Sequence, residues 1–311
     1  MADSAAVSSP AGDGGQAAAG DEDDSPRGLL GALLAARRPE LKGCWRSVVV
    51  EACAGCAADT PPHLCSRCRR VAYCCADCQR QHWPVHKSSC SGASPQKPVR
   101  YVHTVWGLWD AESLPGNCRA SRAAAARLLP SSRLVIWDRN AVESLLCDEW
   151  KEVWHALPRR VCQADIARYL IALHVGGLYL DADAELLKVP PEGSWKLLLL
   201  MEHKVPDVKY LGPRESPHLL RMAQFMFATA PQHGFWRSVL ELSLGRCRER
   251  LQEGGEWEDG DVLWATGPDV VTTVFHERFH HDDSIEVRAA REFVRHECKG
   301  AWRRGADRSD Y

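Results

Sequence analysis

Apolar positions between residues 99 and 244 fall into two alternating rhythms. The runs "VRYVHTVW" (99–106) and "RLVIWD" (133–138) are short, rich in β-branched and aromatic residues, and read as strands. Between them the alanine-rich run from Cys118 to Leu129 reads as a helix, and Ala141 to Leu157 and Gln163 to Val175 predict two more. In "GGLYLDADAELLK" (176–188), Leu178, Leu180 and Ala182 alternate with Tyr179, Asp181 and Asp183, as in a half-buried strand running out into solvent. A further strand is expected at "WKLLLLM" (195–201) and a helix through Phe235 to Leu244. Strands and helices in alternation predict an open α/β sheet, whose ligands sit beyond the C-terminal strand ends; Asp138 and Asp181 both fall at such ends.

The first 26 residues break this rhythm. They are rich in Ala, Gly, Ser and Asp, contain no aromatic residue, and are expected to stay disordered because they cannot bury enough apolar surface to offset their ordering entropy. A short amphipathic helix is expected next, over Arg27 to Leu41 within the segment 27–43. Its apolar stretch Leu29 to Ala36 is too short to cross a bilayer and follows acidic residues where a signal peptide carries basic ones. No other segment is long enough for a span, so the expectation is a soluble intracellular chain, cytoplasmic and/or nuclear. A formal net charge of -2 gives no overall electrostatic reason to expect nucleic acid as partner. In a reducing compartment the 14 cysteines point to metal where they cluster.

They cluster between Cys53 and Cys90, with the spacing C-x2-C-x8-C-x2-C-x5-C-x3-C-x7-H-x3-C. Seven thiolates and one imidazole suffice for two closed tetrahedral zinc shells. So few residues leave little room for a core, and metal would have to supply the folding free energy. With "VAYC", "CQRQHW" and "HKSSC", the segment resembles the MYND zinc finger. That family crosses its ligands over, which implies one zinc on Cys53, Cys56, Cys74 and Cys78 and another on Cys65, Cys68, His86 and Cys90. Cys75 stands where the family usually has serine and makes a competing C-x2-C with Cys78; on the family pattern Cys74 is the ligand and Cys75 a free thiol. His63 and His82 are expected at the surface. The resemblance also implies a protein partner held through a short, proline-containing peptide. The finger is assigned to 44–92, and the Ser-, Gly- and Pro-containing stretch from Ser91 to Pro98 marks a linker, 93–99, before the domain 100–311.

In that domain "YVHTVW", "LVIWDRN", "QADIARYLIALHVGGLYLDADAELLK", "FMFATAPQHGFW", "ATGPDVVT" and "HECKGAW" occur in order. Together they resemble the DXD-containing sugar transferases, which include inositol-phosphoceramide mannosyltransferases, α-1,6-mannosyltransferases, α-1,4-galactosyltransferases and the glucosyltransferase domains of large bacterial cytotoxins. The resemblance implies a GT-A-like open sheet, a nucleotide-sugar donor (a UDP- or GDP-hexose), Mn2+ or Mg2+, and transfer with retention to an acceptor. Departure of a diphosphate builds negative charge, and hard oxygen ligands suit the cation that offsets it. By resemblance Asp183 binds that metal directly, Asp181 contacts the sugar or ribose and reaches the metal through water, and Asp165 and Arg168 hold donor hydroxyls and the diphosphate. The bare spacing of Asp165 and Arg168 also fits a simple intrahelical ion pair. His296 is expected in the metal shell and Trp302 over the nucleotide, though Ala301 replaces the family's serine; Trp106 and Trp137 are further stacking candidates, or core residues. Gln224 stands where the family tends to carry asparagine. The alternative in another class is a protein-binding adaptor whose transferase-like domain is inactive.

Overall fold

A computed structural model of the chain describes residues 49–56, 63–65, 67, 71–88, 90, 100–109, 114–129, 132–190, 196–204, 214 and 216–296. The tail, the 27–43 helix, the 93–99 linker, Cys68 and Trp302 lie outside them.

One large sheet organises the molecule, with the strand order β1-β5-β4-β6-β10-β8-β11 and β9 paired to β8. Its members are β1 (Val49–Ala52), β4 (Arg100–Val105), β5 (Ser132–Trp137), β6 (Gly177–Leu180), β8 (Leu197–Lys204), β9 (Leu220–Met222), β10 (Met226–Thr229) and β11 (Ile285–Ala289). Parallel strands β5, β4 and β6 form one half. Antiparallel β10 joins β6 to β8, so the sheet is mixed. Two small ladders stand apart from it: β2 (His63–Leu64) with β3 (Ala72–Tyr73), and β7 (Ala184–Leu186) with β12 (Val294–His296).

Alternate residues along the strands feed two cores, as the period-two geometry of a strand requires. Tyr101, Val135, Trp137, Tyr179, Leu197, Leu199 and Phe227 point into one. This face is covered by α3 (Arg139–Glu143), α4 (Asp148–Ala156), α5 (Arg160–His174), α6 (Gly234–Glu253), α7 (Asp259–Ala265) and α8 (Pro268–Val274). Val102, Leu134, Leu178, Leu180, Leu198 and Leu200 point into the other, which also holds Ala125 and Ala126 of α2 (Gly116–Leu128), the β7–β12 ladder and the cysteine-rich module. Burial on both faces explains why "LLLL" at 197–200 shows no alternation.

The expected helix at 141–157 is two helices. The Ser144 hydroxyl donates to the Ala141 carbonyl at 2.7 Å, and the chain restarts at Cys147 with Asp148 and Glu149 in the first turn of α4, where carboxylates suit the helix dipole. The helix expected through Phe235 to Leu244 continues to Glu253. β10 lies inside "FMFATAPQHGFW", a stretch whose pattern predicts no strand.

Candidate donor site and zinc-binding module

The sheet changes direction of travel at β4, which has β5 on one side and β6 on the other. The C-terminal ends of these strands carry Trp106, Asp138 and Asp181, at the kind of switch point where open α/β sheets bind ligands. Asp138 serves locally: its carboxylate accepts from the Ala141 N–H at 3.0 Å and caps α3. Trp106 is half-buried, with its backbone N–H on the Trp137 carbonyl. Trp137 is wholly buried and its indole donates to His103 at 2.9 Å, so it is a core residue.

β6 ends at Leu180 and the D-x-D forms the turn into β7. That turn is pinned at both ends: the Asp181 N–H donates to the Phe225 carbonyl at 2.8 Å, and the Ala184 N–H donates to the Asp181 carbonyl at 3.1 Å. Both Asp181 carboxylate oxygens are engaged by protein, one by the Tyr179 hydroxyl at 2.8 Å and the other by Arg168 at 3.1 Å. Asp183 differs. Its Oδ1 lies 3.3 Å from His296 Nε2, and it is the more exposed carboxylate, at 26% against 17%. His296 arrives there because β12 pairs it with Ala184, and its ring packs 4.2 Å from that of Phe225. One ligand atom each from Asp181, Asp183 and His296 lies within 4.8 Å of the others, and two carboxylates with an imidazole fit a divalent cation.

Behind the turn lies a buried polar chain. Arg168 spans two carboxylates, Asp165 at 3.0 Å and Asp181 at 3.1 Å. Asp165 is only 1% exposed and accepts also from Gln224 Nε2 at 3.0 Å and the Thr266 hydroxyl at 2.9 Å. The Tyr169 hydroxyl meets Gln224 Oε1 and the Thr266 carbonyl. Burial pushes Asp165 up to about 7 against the pull of Arg168 and Thr266. Asp181 is also raised by burial, which outweighs Arg168. At His296 burial favours the neutral ring, but the Asp183 contact and the two aspartate charges prevail and hold its pKa above 6.5. Gln224, Tyr179 and Thr266 belong to this chain of contacts. Tyr179 and Thr266 were not singled out in the sequence, where a tyrosine and a threonine in apolar surroundings carry no signal.

In the cysteine-rich module, the sulfurs of Cys53, Cys56, Cys74 and Cys78 lie within 4.8 Å of one another. Cys75 is exposed and outside this set, with its Sγ 3.7 Å from that of Cys74. A second set comprises Cys65, His86 and Cys90, all buried, as Cys68 lies outside the described residues. Burial, opposed by the Cys78 contact and reinforced by Cys53, Cys56 and Cys75, pushes the Cys74 thiol up to about 12. A divalent cation is what would let such sulfurs ionise together, so the donor set fits zinc. His82 corrects an expectation: it is buried, with Nδ1 3.0 Å from the Tyr73 hydroxyl and its ring stacked on His86. It sits in α1 (Ala76–His86) on the face turned inward. The side chain of His63, in β2, lies outside the described residues.

A thiol-and-imidazole module joined to an open α/β sheet with carboxylates at its switch point fits a zinc finger and a glycosyltransferase-like domain on one chain. Accordingly, residues 53–90 match the MYND finger family, and residues 115–205 match the family described as glycosyltransferase sugar-binding region containing DXD motif. Inositol phosphoceramide mannosyltransferase 1 of Schizosaccharomyces pombe (strain 972 / ATCC 24843) is 22% identical over 158 residues, 49% of this chain and 46% of that protein. The chain thus spans about half the length of this curated relative. Among solved structures, PaToxG Glycosyltransferase is similar with a TM-score of 0.39 and 15% identity, over 66% of this chain and 77% of that one. Among the described residues no helix is long and apolar enough to cross a membrane.

Proposed function

We propose that the domain 100–311 is a metal-dependent, retaining glycosyltransferase that moves a hexose from a UDP- or GDP-sugar to an acceptor, inside the cell, cytoplasmic and/or nuclear. The finger, 44–92, would hold two structural zinc ions and recruit a protein partner through a short proline-containing peptide. The observation that carries the catalytic reading is the convergence of Asp181, Asp183 and His296 at the end of β6, backed by the buried Asp165–Arg168–Asp181 chain.

Asp183, Asp181 and His296 would hold Mn2+ or Mg2+, whose charge offsets that growing on the departing diphosphate. Within the triad the residues divide their work. Asp183 has the freer carboxylate and would be the direct ligand, while Asp181, tied on both oxygens, would offer its remaining lone pairs to a donor hydroxyl or a water. Arg168 fixes Asp181 in place. Asp165 lies too deep to reach a donor hydroxyl as it stands, so its part is to hold Arg168 and thereby orient the turn. Trp106, at the lip, and Trp302 are the stacking surfaces for the nucleotide.

The test is hydrolysis of a panel of UDP- and GDP-hexoses by purified full-length protein with Mn2+, water standing in for the acceptor. One donor should be cleaved well above the rest, and EDTA should stop the reaction. Failure to bind or cleave every donor would favour the adaptor reading.

A further inference from the structure

β1 belongs by position to the cysteine-rich segment, yet it is the edge strand of the transferase sheet. Its four residues pair antiparallel with β5, Val49 opposite Trp137 through Ala52 opposite Leu134. The chain then enters the four-thiol cluster at the next residue, Cys53. Four residues are a short strand, and ordering each of them costs backbone entropy. A pairing of this length is marginal unless something beyond it holds the chain.

The finger supplies that hold. The knuckle 53–56 sits tightly on the start of α1: a Cβ placed on Gly55 would lie 2.7 Å from Cys78 Cβ. Cys53, Cys65, Val71, Tyr73 and Cys90 are buried in the same apolar cluster as Val102, Ala125 and Leu134 of the large domain. Without β1, the outer edge of β5 would lose its pairing along the four residues Leu134–Trp137, all buried at present. Apolar edges of that kind recruit other strands, and native sheets cover them.

We infer that metal held by Cys53, Cys56, Cys74 and Cys78 closes the open edge of the transferase sheet by keeping β1 on β5. The finger is then a clamp on the catalytic sheet as well as a recruitment surface. This holds whether or not the domain transfers sugar.

Hydrogen exchange on the full chain, with zinc and after its removal by a chelator, tests it. Amides of β5 should exchange at least about tenfold faster without zinc while those of α5 keep their protection. Coupling is reciprocal, so Glu51→Pro combined with Val50→Pro, one of which removes a ladder donor while every thiol stays in place, should speed zinc loss to a chelator at least about fivefold. Unchanged β5 exchange after zinc removal would overturn the clamp. So would equal loss of protection throughout the domain, or zinc retention in the Val50→Pro, Glu51→Pro variant equal to that of the unmodified chain.

Discussion

Arg168 is the side chain on which the carboxylate site turns. A single guanidinium satisfies two aspartates, and its planar fork lets one group do so from a nearly buried position. Arg168→Met should therefore cost about 3–5 kcal/mol of stability, since it leaves buried carboxylates without their counter-charge. Denaturant unfolding measures this; a loss within 1 kcal/mol would mean that the pair is dispensable. His296 leads to a pH prediction. Its folded pKa is raised above 6.5, so the ring is protonated at low pH, where it pairs with Asp183, and that stabilisation fades as pH rises through the folded value. A metal must displace that proton. Mn2+ affinity, followed by calorimetry, should rise about tenfold per pH unit below the folded pKa and level off above it. His296→Gln should flatten the slope, whereas an unaltered slope would exclude His296 from the metal shell.

Among the elements, β6 and its turn show how backbone geometry positions chemistry. Gly176 and Gly177 enter β6 with φ of 68° and 99°, and a Cβ on Gly177 would lie 2.8 Å from the Tyr101 carbonyl oxygen. Gly177→Ala should destabilise the fold by about 1–3 kcal/mol, from strain alone, and should shift the D-x-D away from Arg168. Equal midpoints in urea would contradict this. The strands β4 and β5 were legible as short runs rich in β-branched and aromatic residues, β6 from its alternation, β8 as an unbroken apolar run, and the helices α2 and α5 from their length and composition. So was the D-x-D at a strand end. What escaped had no local signature. β10 is three apolar residues and a threonine, which suit a strand and a helix interior alike. The break before α4 depends on one serine hydroxyl and two acids. His82 reads as a polar residue on a helix, and only the tertiary contact with Tyr73 and His86 shows that it faces inward. The edge pairing of β1 is a contact between residues more than eighty positions apart, which neither period nor spacing reports.

For the whole molecule, the sheet and the finger share a core, and this changes what truncation should do. The linker composition suggests that a fragment starting near Gln96 would fold alone. Such a fragment would lack β1 and uncover Val102, Ala125 and Leu134, so it should melt at least roughly 5 °C lower than the full chain, each kcal/mol being worth about 2–4 °C at this size. It should also self-associate through β5. An unshifted melting temperature and a monomeric fragment would restore the picture of two independent modules. Whether the end of β6 is catalytic is decided by Mn2+-dependent hydrolysis of the preferred sugar nucleotide, compared between the unmodified chain and Asp183→Asn. The variant should retain its fold and lose at least about a hundredfold in turnover, because a ligand charge used to stabilise the leaving diphosphate is gone. Raising Mn2+ should recover little. Turnover by Asp183→Asn equal to that of the unmodified chain, or activity in the unmodified chain that survives EDTA, would contradict the account.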